Sequence, residues 1–96
     1  MLKAALAIAL ALFCSSACAQ TDPLVLDPHA SYPEGPLFVG DALYVAEMGA
    51  DRVSRFDRGV KTTFFHEAGC GPTALTPYRG GFAILCHLGG EIVAVD

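Results

Sequence analysis

The 96-residue sequence predicts an all-β fold on three observations. From Tyr32 onward, short runs rich in valine, isoleucine, tyrosine and phenylalanine alternate with turns of glycine, aspartate and proline. Nothing beyond residue 19 carries the apolar spacing of a helix. The third observation is a repeat. Gly35-Pro36, Gly40 to Gly49 and Asp51 to Asp57 return as Gly71-Pro72, Gly80 to Gly89 and Glu91 to Asp96. The Gly-Pro pairs lie 36 residues apart and the closing aspartates 39, a difference assigned to residues 76–79. A period near forty built from short strands points to stacked β-sheets, the blades of a β-propeller. One such unit cannot bury both of its faces, so two copies imply further neighbours. The expectation is an incomplete propeller: blade 1 over 32–69 and part of blade 2 over 70–96.

Residues 1–19 read as a signal peptide. Lys3 gives the positive start, residues 4–13 the apolar core, and Ala17-Cys18-Ala19 the small residues of a cleavage site after Ala19. The apolar run is too short to span a bilayer, so no transmembrane segment is expected. This predicts export to the periplasm or the medium. A lipoprotein reading through Cys18 stands beside it, although the aliphatic residue usual three positions before the cysteine is missing. From Gln20 onward five basic residues face ten acidic ones. That balance excludes nucleic acid and anionic membrane as natural partners. Oligomeric state stays open.

The elements follow in order. Residues 20–31 hold Asp22-Pro23 and Asp27-Pro28, which exclude a helix and favour an extended path. The segment is either a strand completing the last blade of a ring or a plain arm. Strands are expected at 36–39, 42–46, 52–56 and 60–66, with turns at Gly40-Asp41, Gly49-Ala50-Asp51 and Asp57-Arg58-Gly59. The second unit is read as strands at 73–76, 82–86 and 91–95, with a turn over Pro77-Tyr78-Arg79-Gly80. Ile92 to Val95 is apolar on both faces, as a strand between two neighbouring sheets would be.

Cys70 and Cys86 remain once the signal is removed. They flank a hairpin centred near Tyr78, whose constant index sum sets the two residues opposite each other. In an oxidising compartment that arrangement forms a disulfide. The alternative is a pair of buried thiols acting as small apolar groups. Metal binding by the pair is disfavoured, since C-x-x-C spacing is absent and only His87 lies near.

Glu34 is the sharpest candidate for chemistry. Held in Tyr32-Pro33-Glu34-Gly35-Pro36, it sits on a stiff backbone that would present an oxygen ligand at little entropic cost. A plain exposed turn glutamate is the bland alternative. Glu34-Gly35-Pro36, Leu43-Tyr44-Val45 and Arg52 to Asp57, with Gly71 to Leu75 and Gly80-Gly81-Phe82, resemble the gluconolactonase/senescence marker (regucalcin-like) family over residues 32–96. The resemblance implies a six-bladed propeller holding one divalent metal, calcium or zinc. It also implies a lactone or sugar-acid substrate opened by Lewis-acid hydrolysis. Glu34 takes the place of that family's first metal ligand. The other ligands, an asparagine and an aspartate, come from later blades; this sequence has no asparagine. The chain alone is therefore expected to be inactive, as the N-terminal portion of a lactonase-like hydrolase. Two other readings stay open: a non-catalytic binding propeller of the strictosidine-synthase-like or NHL type, and a truncated product without function.

His87 and Glu47 are read as matching positions after a second strand. His87 is then a candidate substrate contact or proton carrier. Glu47 is less favoured for that role, because Arg52 across the turn is an obvious ion-pair partner, a pairing of little weight. His29 and His66 read as surface residues, and Asp57 and Asp96 as turn formers.

Overall fold

The computed structural model describes residues 21–96, and the expected signal segment with Cys14 and Cys18 lies outside the described residues. The chain forms two antiparallel sheets. The first runs β1 (Pro33–Val39), β2 (Ala42–Glu47), β3 (Arg52–Asp57) and β4 (Val60–His66), each beside its chain neighbour. The second runs β5 (Pro72–Tyr78), β6 (Gly81–Cys86) and β7 (Glu91–Val95) in the same way. A 3₁₀ turn, Met48–Ala50, links β2 to β3. Among the described residues no helix is long and apolar enough to cross a membrane.

Turn chemistry sets the hairpins. Arg58-Gly59 and Arg79-Gly80 each place two consecutive residues at positive φ (52° and 78°, 47° and 80°). Such two-residue turns match the twist of the strands they join. The second hairpin therefore turns later than the sequence pattern indicates. β5 continues through Pro77 and Tyr78, which pair with Phe82 and Gly81. Pro77 is tolerated because β5 is an edge strand, where a missing N–H breaks no ladder.

The register also corrects the repeat. Pro33 pairs with Glu47 as Pro72 pairs with Cys86, and Glu47 pairs with Arg52 as Cys86 pairs with Glu91. The structural period is thus 39 throughout, and Pro72 corresponds to Pro33 rather than Pro36. The reason lies in the backbone. Tyr32 (φ 49°) and Gly71 (φ 53°) make the same left-handed kink before the first strand of each sheet. Gly35 belongs to a separate bulge between Glu34 and Leu37.

The two sheets pack face to face. Ala42, Tyr44 and Val53 of the first sheet meet Leu75, Ile84 and Cys86 of the second, flanked by Leu37, Phe64, Phe82, Val93 and Val95. Tyr44, Phe64 and Phe82 form an aromatic trio with centroids 5.1–5.2 Å apart. Each edge-on aromatic pair adds about 1 kcal/mol beyond the area it buries. β1 and β5 come so close that a Cβ on Gly35 would strike the Thr73 carbonyl oxygen.

Side chains alternate along a strand, so each sheet has a second, outward face. On the first sheet it carries Leu43, Val45, Glu47, Ser54 and Phe56. On the second it carries Ala83, Leu85, Ile92 and Ala94. Ile92 is 73% exposed.

Cys70 and Cys86 form a disulfide with Cα atoms 4.6 Å apart. The pairing agrees with the sequence reading, but the register behind it differs. Cys86 lies opposite Pro72, and Cys70 reaches it from outside the strand because the chain kinks at Gly71.

Candidate functional site

Glu34 sits near the start of β1 with its backbone opposite Ala46, and its side chain is exposed. Its strand is the edge of the first sheet, next to the junction with β5. Among the described residues, the acidic, histidine and cysteine side chains form one group of three within metal-binding reach of each other: Glu67, Cys70 and Cys86. Its two sulfurs are already joined in the disulfide, so it offers no thiolates. Among the described residues Glu34 belongs to no such group. One carboxylate does not fit calcium, which takes six to eight oxygens, or zinc, which takes four ligands. The residues present therefore do not make the metal site that the sequence resemblance implies.

Glu47 is where the polar chemistry concentrates. It ends β2 with its side chain only 1% exposed; the ion pair with Arg52 read from the sequence is present, and burial gives it more weight than that reading did. Arg52 grips it with two bonds, Nε to Oε2 at 2.8 Å and Nη2 to Oε1 at 3.0 Å. The Ser54 hydroxyl donates to Oε2, and Lys61 Nζ lies 3.0 Å from the same oxygen. The Ser31 backbone N–H donates to Oε1 at 3.1 Å. Lys61 also pairs with Asp27. The hydrogen bonds from Arg52, then Ser54, Ser31 and Lys61, outweigh burial and hold the Glu47 carboxyl far below the usual range. A base needs a pKa near the working pH and a free lone pair. Glu47 has neither, so it is a fastening: it ties the segment entering β1 onto the end of β2.

That fastening is completed by backbone. Met48 and Gly49 donate to the Tyr32 and Ser31 carbonyls at 3.3 and 3.2 Å. A side chain on Gly49 would run into Ser31 and Tyr32, so the close approach requires glycine. Beside it the outward face of the first sheet forms an apolar recess of about 200 Å³, lined by Leu26, Ala30, Pro33, Leu43, Val45 and Phe56 with Glu47 and Asp27 at its polar end.

His87 is exposed on the rim of an open groove of about 400 Å³ with Leu85, Glu91 and Ile92. Its backbone N–H donates to the Gly71 carbonyl at 3.0 Å. The uniform period aligns His87 with Met48, and Glu47 with Cys86, so the matched pair inferred from sequence is one residue out of step. His29 and His66 are exposed, as read, and His66 closes β4.

Sequence reasoning overlooked Asp51. It adopts a left-handed conformation (φ 54°) and its two oxygens accept the N–H groups of Gly69 and Gly71 at 3.0 and 2.8 Å. These bonds pull its carboxyl below the usual range and tie the turn of the first sheet to the entry of the second. The signal was present as Gly49-Ala50-Asp51, since aspartate tolerates left-handed geometry and bonds nearby backbone. No protein-family model matches the sequence, and no curated protein does.

Proposed function

We propose that this chain is the two-sheet opening unit of an exported, propeller-like lactone hydrolase, contributing Glu34 to a cation site that needs further sheets. The uniform 39-residue period supports this reading, because it stacks two sheets in the same sense and leaves apolar side chains on both outward faces, Leu43, Val45 and Phe56 on the first and Leu85 and Ile92 on the second. A two-layer protein normally turns polar faces to water. Glu34 adds the second support: an exposed carboxylate on a bulged edge strand, beside the junction between sheets. The chain by itself lacks the ligands for catalysis.

The test is a polypeptide carrying this chain within a complete stack. Glu34→Gln should abolish divalent-metal affinity and lactone hydrolysis while leaving the unfolding midpoint in place. Metal affinity and hydrolysis that survive the substitution defeat the assignment.

A further inference from the structure

We propose that this chain associates head-to-tail with copies of itself. The outward face of its second sheet takes the outward face of a partner's first sheet, and the partner's residues 24–27 add a fourth strand beside β7. The inference rests on the stacked-sheet part of the reading above and not on the metal.

The 39-residue period relates the faces as well as the strands. The packed face of the second sheet, Phe82, Ile84, Cys86, Val93 and Val95, corresponds to Leu43, Val45, Glu47, Ser54 and Phe56. Those five form the outward face of the first sheet. The packed face of the first sheet, Ala42, Tyr44, Ala46 and Val53, corresponds in turn to Gly81, Ala83, Leu85 and Ile92 of the outward face of the second. The interface inside the chain is therefore heterologous, with each outward face the counterpart of a packed one; on the first sheet Glu47 and Ser54 are already covered by their own chain, and Leu43, Val45 and Phe56 remain half-buried. Large side chains (Leu43, Val45, Phe56) on one free face would meet mainly small ones (Ala83, Ala94) on the other, with Leu85 and Ile92 filling between. A second copy fits this pair of faces because the chain already contains the template for their contact. Heterologous contacts of this kind build a ring when the rotation closes and a filament when it does not.

The edges agree with the faces. β4 covers β3 in the first sheet, but β7 is the last strand of the second and its outer edge is unpaired among the described residues. An uncovered edge is a template for an added strand. Counting back 39 residues, the end of β4 (63–66) corresponds to residues 24–27. Arg52, Val53 and Ser54 face His66, Phe65 and Thr63. By the same register, Glu91, Ile92 and Val93 would face the partner's Asp27, the partner's Leu26 and the partner's Leu24. Leu24, Val25 and Leu26 are apolar and largely exposed, as is Ile92. The added strand buries Leu24, Leu26 and Ile92, and Val25 falls in the bulge, the position of Phe64, which packs in the aromatic trio. Each Asp27 is already paired with Lys61 of its own chain, which offsets its approach to Glu91.

Sedimentation of the purified chain over a wide concentration range should show masses above the monomer. Phe56→Lys blocks one face and Ile92→Lys the other, so each variant alone should be monomeric. Mixed together they should form a dimer with one copy of each, because one intact pair of faces remains. A contact of like faces would instead leave one variant dimeric by itself, and overturns the proposal. So does a wild-type chain that stays monomeric throughout. An independent check uses exposed positions that leave the core untouched. Oxidising a mixture of Leu26→Cys and Ile92→Cys chains should give a heterodimer linked through those two cysteines, and its absence counts against the proposed register. If self-association fails while the Glu34 test above succeeds, only the identity of the neighbouring sheets is wrong.

Discussion

Glu47 and Cys86 occupy the same place in two successive sheets, and each fastens the segment that enters its own sheet. Both end a second strand opposite a proline, Pro33 or Pro72. Cys86 holds Cys70 by a covalent bond, while Glu47 holds Ser31, the residue 39 positions before Cys70, by a partly buried hydrogen bond. The backbone bonds from Met48 and Gly49 to Tyr32 and Ser31 recur as those from His87 and Leu88 to Gly71 and Cys70. One geometry is secured by two chemistries.

The equivalence predicts that the covalent version can be transplanted. In the double variant Ser31→Cys, Glu47→Cys the two new thiols should join, lowering the intact mass by two hydrogens relative to the reduced form. Two thiols that remain free to alkylation would show that the equivalence ends at the backbone.

Removing only the carboxylate should be costly. Glu47→Ala leaves Arg52 and Lys61 facing each other without their common partner, and strands the Ser54 hydroxyl and the Ser31 N–H. A loss of roughly 3 kcal/mol in unfolding free energy is expected. Denaturant titration measures it, and proteolysis should then cut the segment before Pro33 faster.

Acid should weaken the fold in a defined window. Glu47 is held low chiefly by Arg52, Asp51 by the Gly69 and Gly71 N–H groups, and Asp27 by Lys61. All three carboxyls are lowered in the folded chain, so the unfolded chain binds protons first. Their stabilisation is complete above the ordinary values of 3.8 and 4.5 and is lost as pH falls through and below them. Unfolding midpoints should therefore drop between about pH 5 and pH 2. Glu47→Gln should flatten that dependence.

Reduction of the disulfide should cost about 3 kcal/mol, the value expected for a closed loop of this size. Both cysteines are buried, so a thiol reductant should act slowly until denaturant opens the second sheet. Equal melting points with and without reductant would contradict this.

Tyr32 and Gly71 make the same backbone kink, but a tyrosine at φ 49° is strained where glycine is not. Tyr32→Gly should raise stability by about 1 kcal/mol. The reverse change, Gly71→Ala, should destabilise, because the left-handed backbone is strained and the new Cβ meets the Leu88 side chain.

Much of the fold was legible from residue pattern. All seven strands were anticipated, because alternating apolar runs between glycine turns leave few other options. The repeat was legible but misaligned by three residues at its start. Gly35-Pro36 and Gly71-Pro72 look alike in sequence, while the feature that matches Gly71 is the left-handed backbone of Tyr32, which no side chain announces. Burial was the other blind spot. Glu47 and Arg52 read as an ion pair of little weight, since only the fold brings Ser31 and Lys61 from either side to close over the carboxylate. For Glu34 the sequence supplied the residue and its stiff setting, and the fold adds an exposed place on an edge strand.

Among the described residues every strand pairs only with the strand before or after it along the chain. Contacts so local demand little loop-closure entropy, and proteins built from them reach the native state comparatively fast. Each hairpin can zip as it leaves the ribosome, before its stacking surface exists. Assembly would then proceed one layer at a time, and the slow step would be the docking of finished sheets.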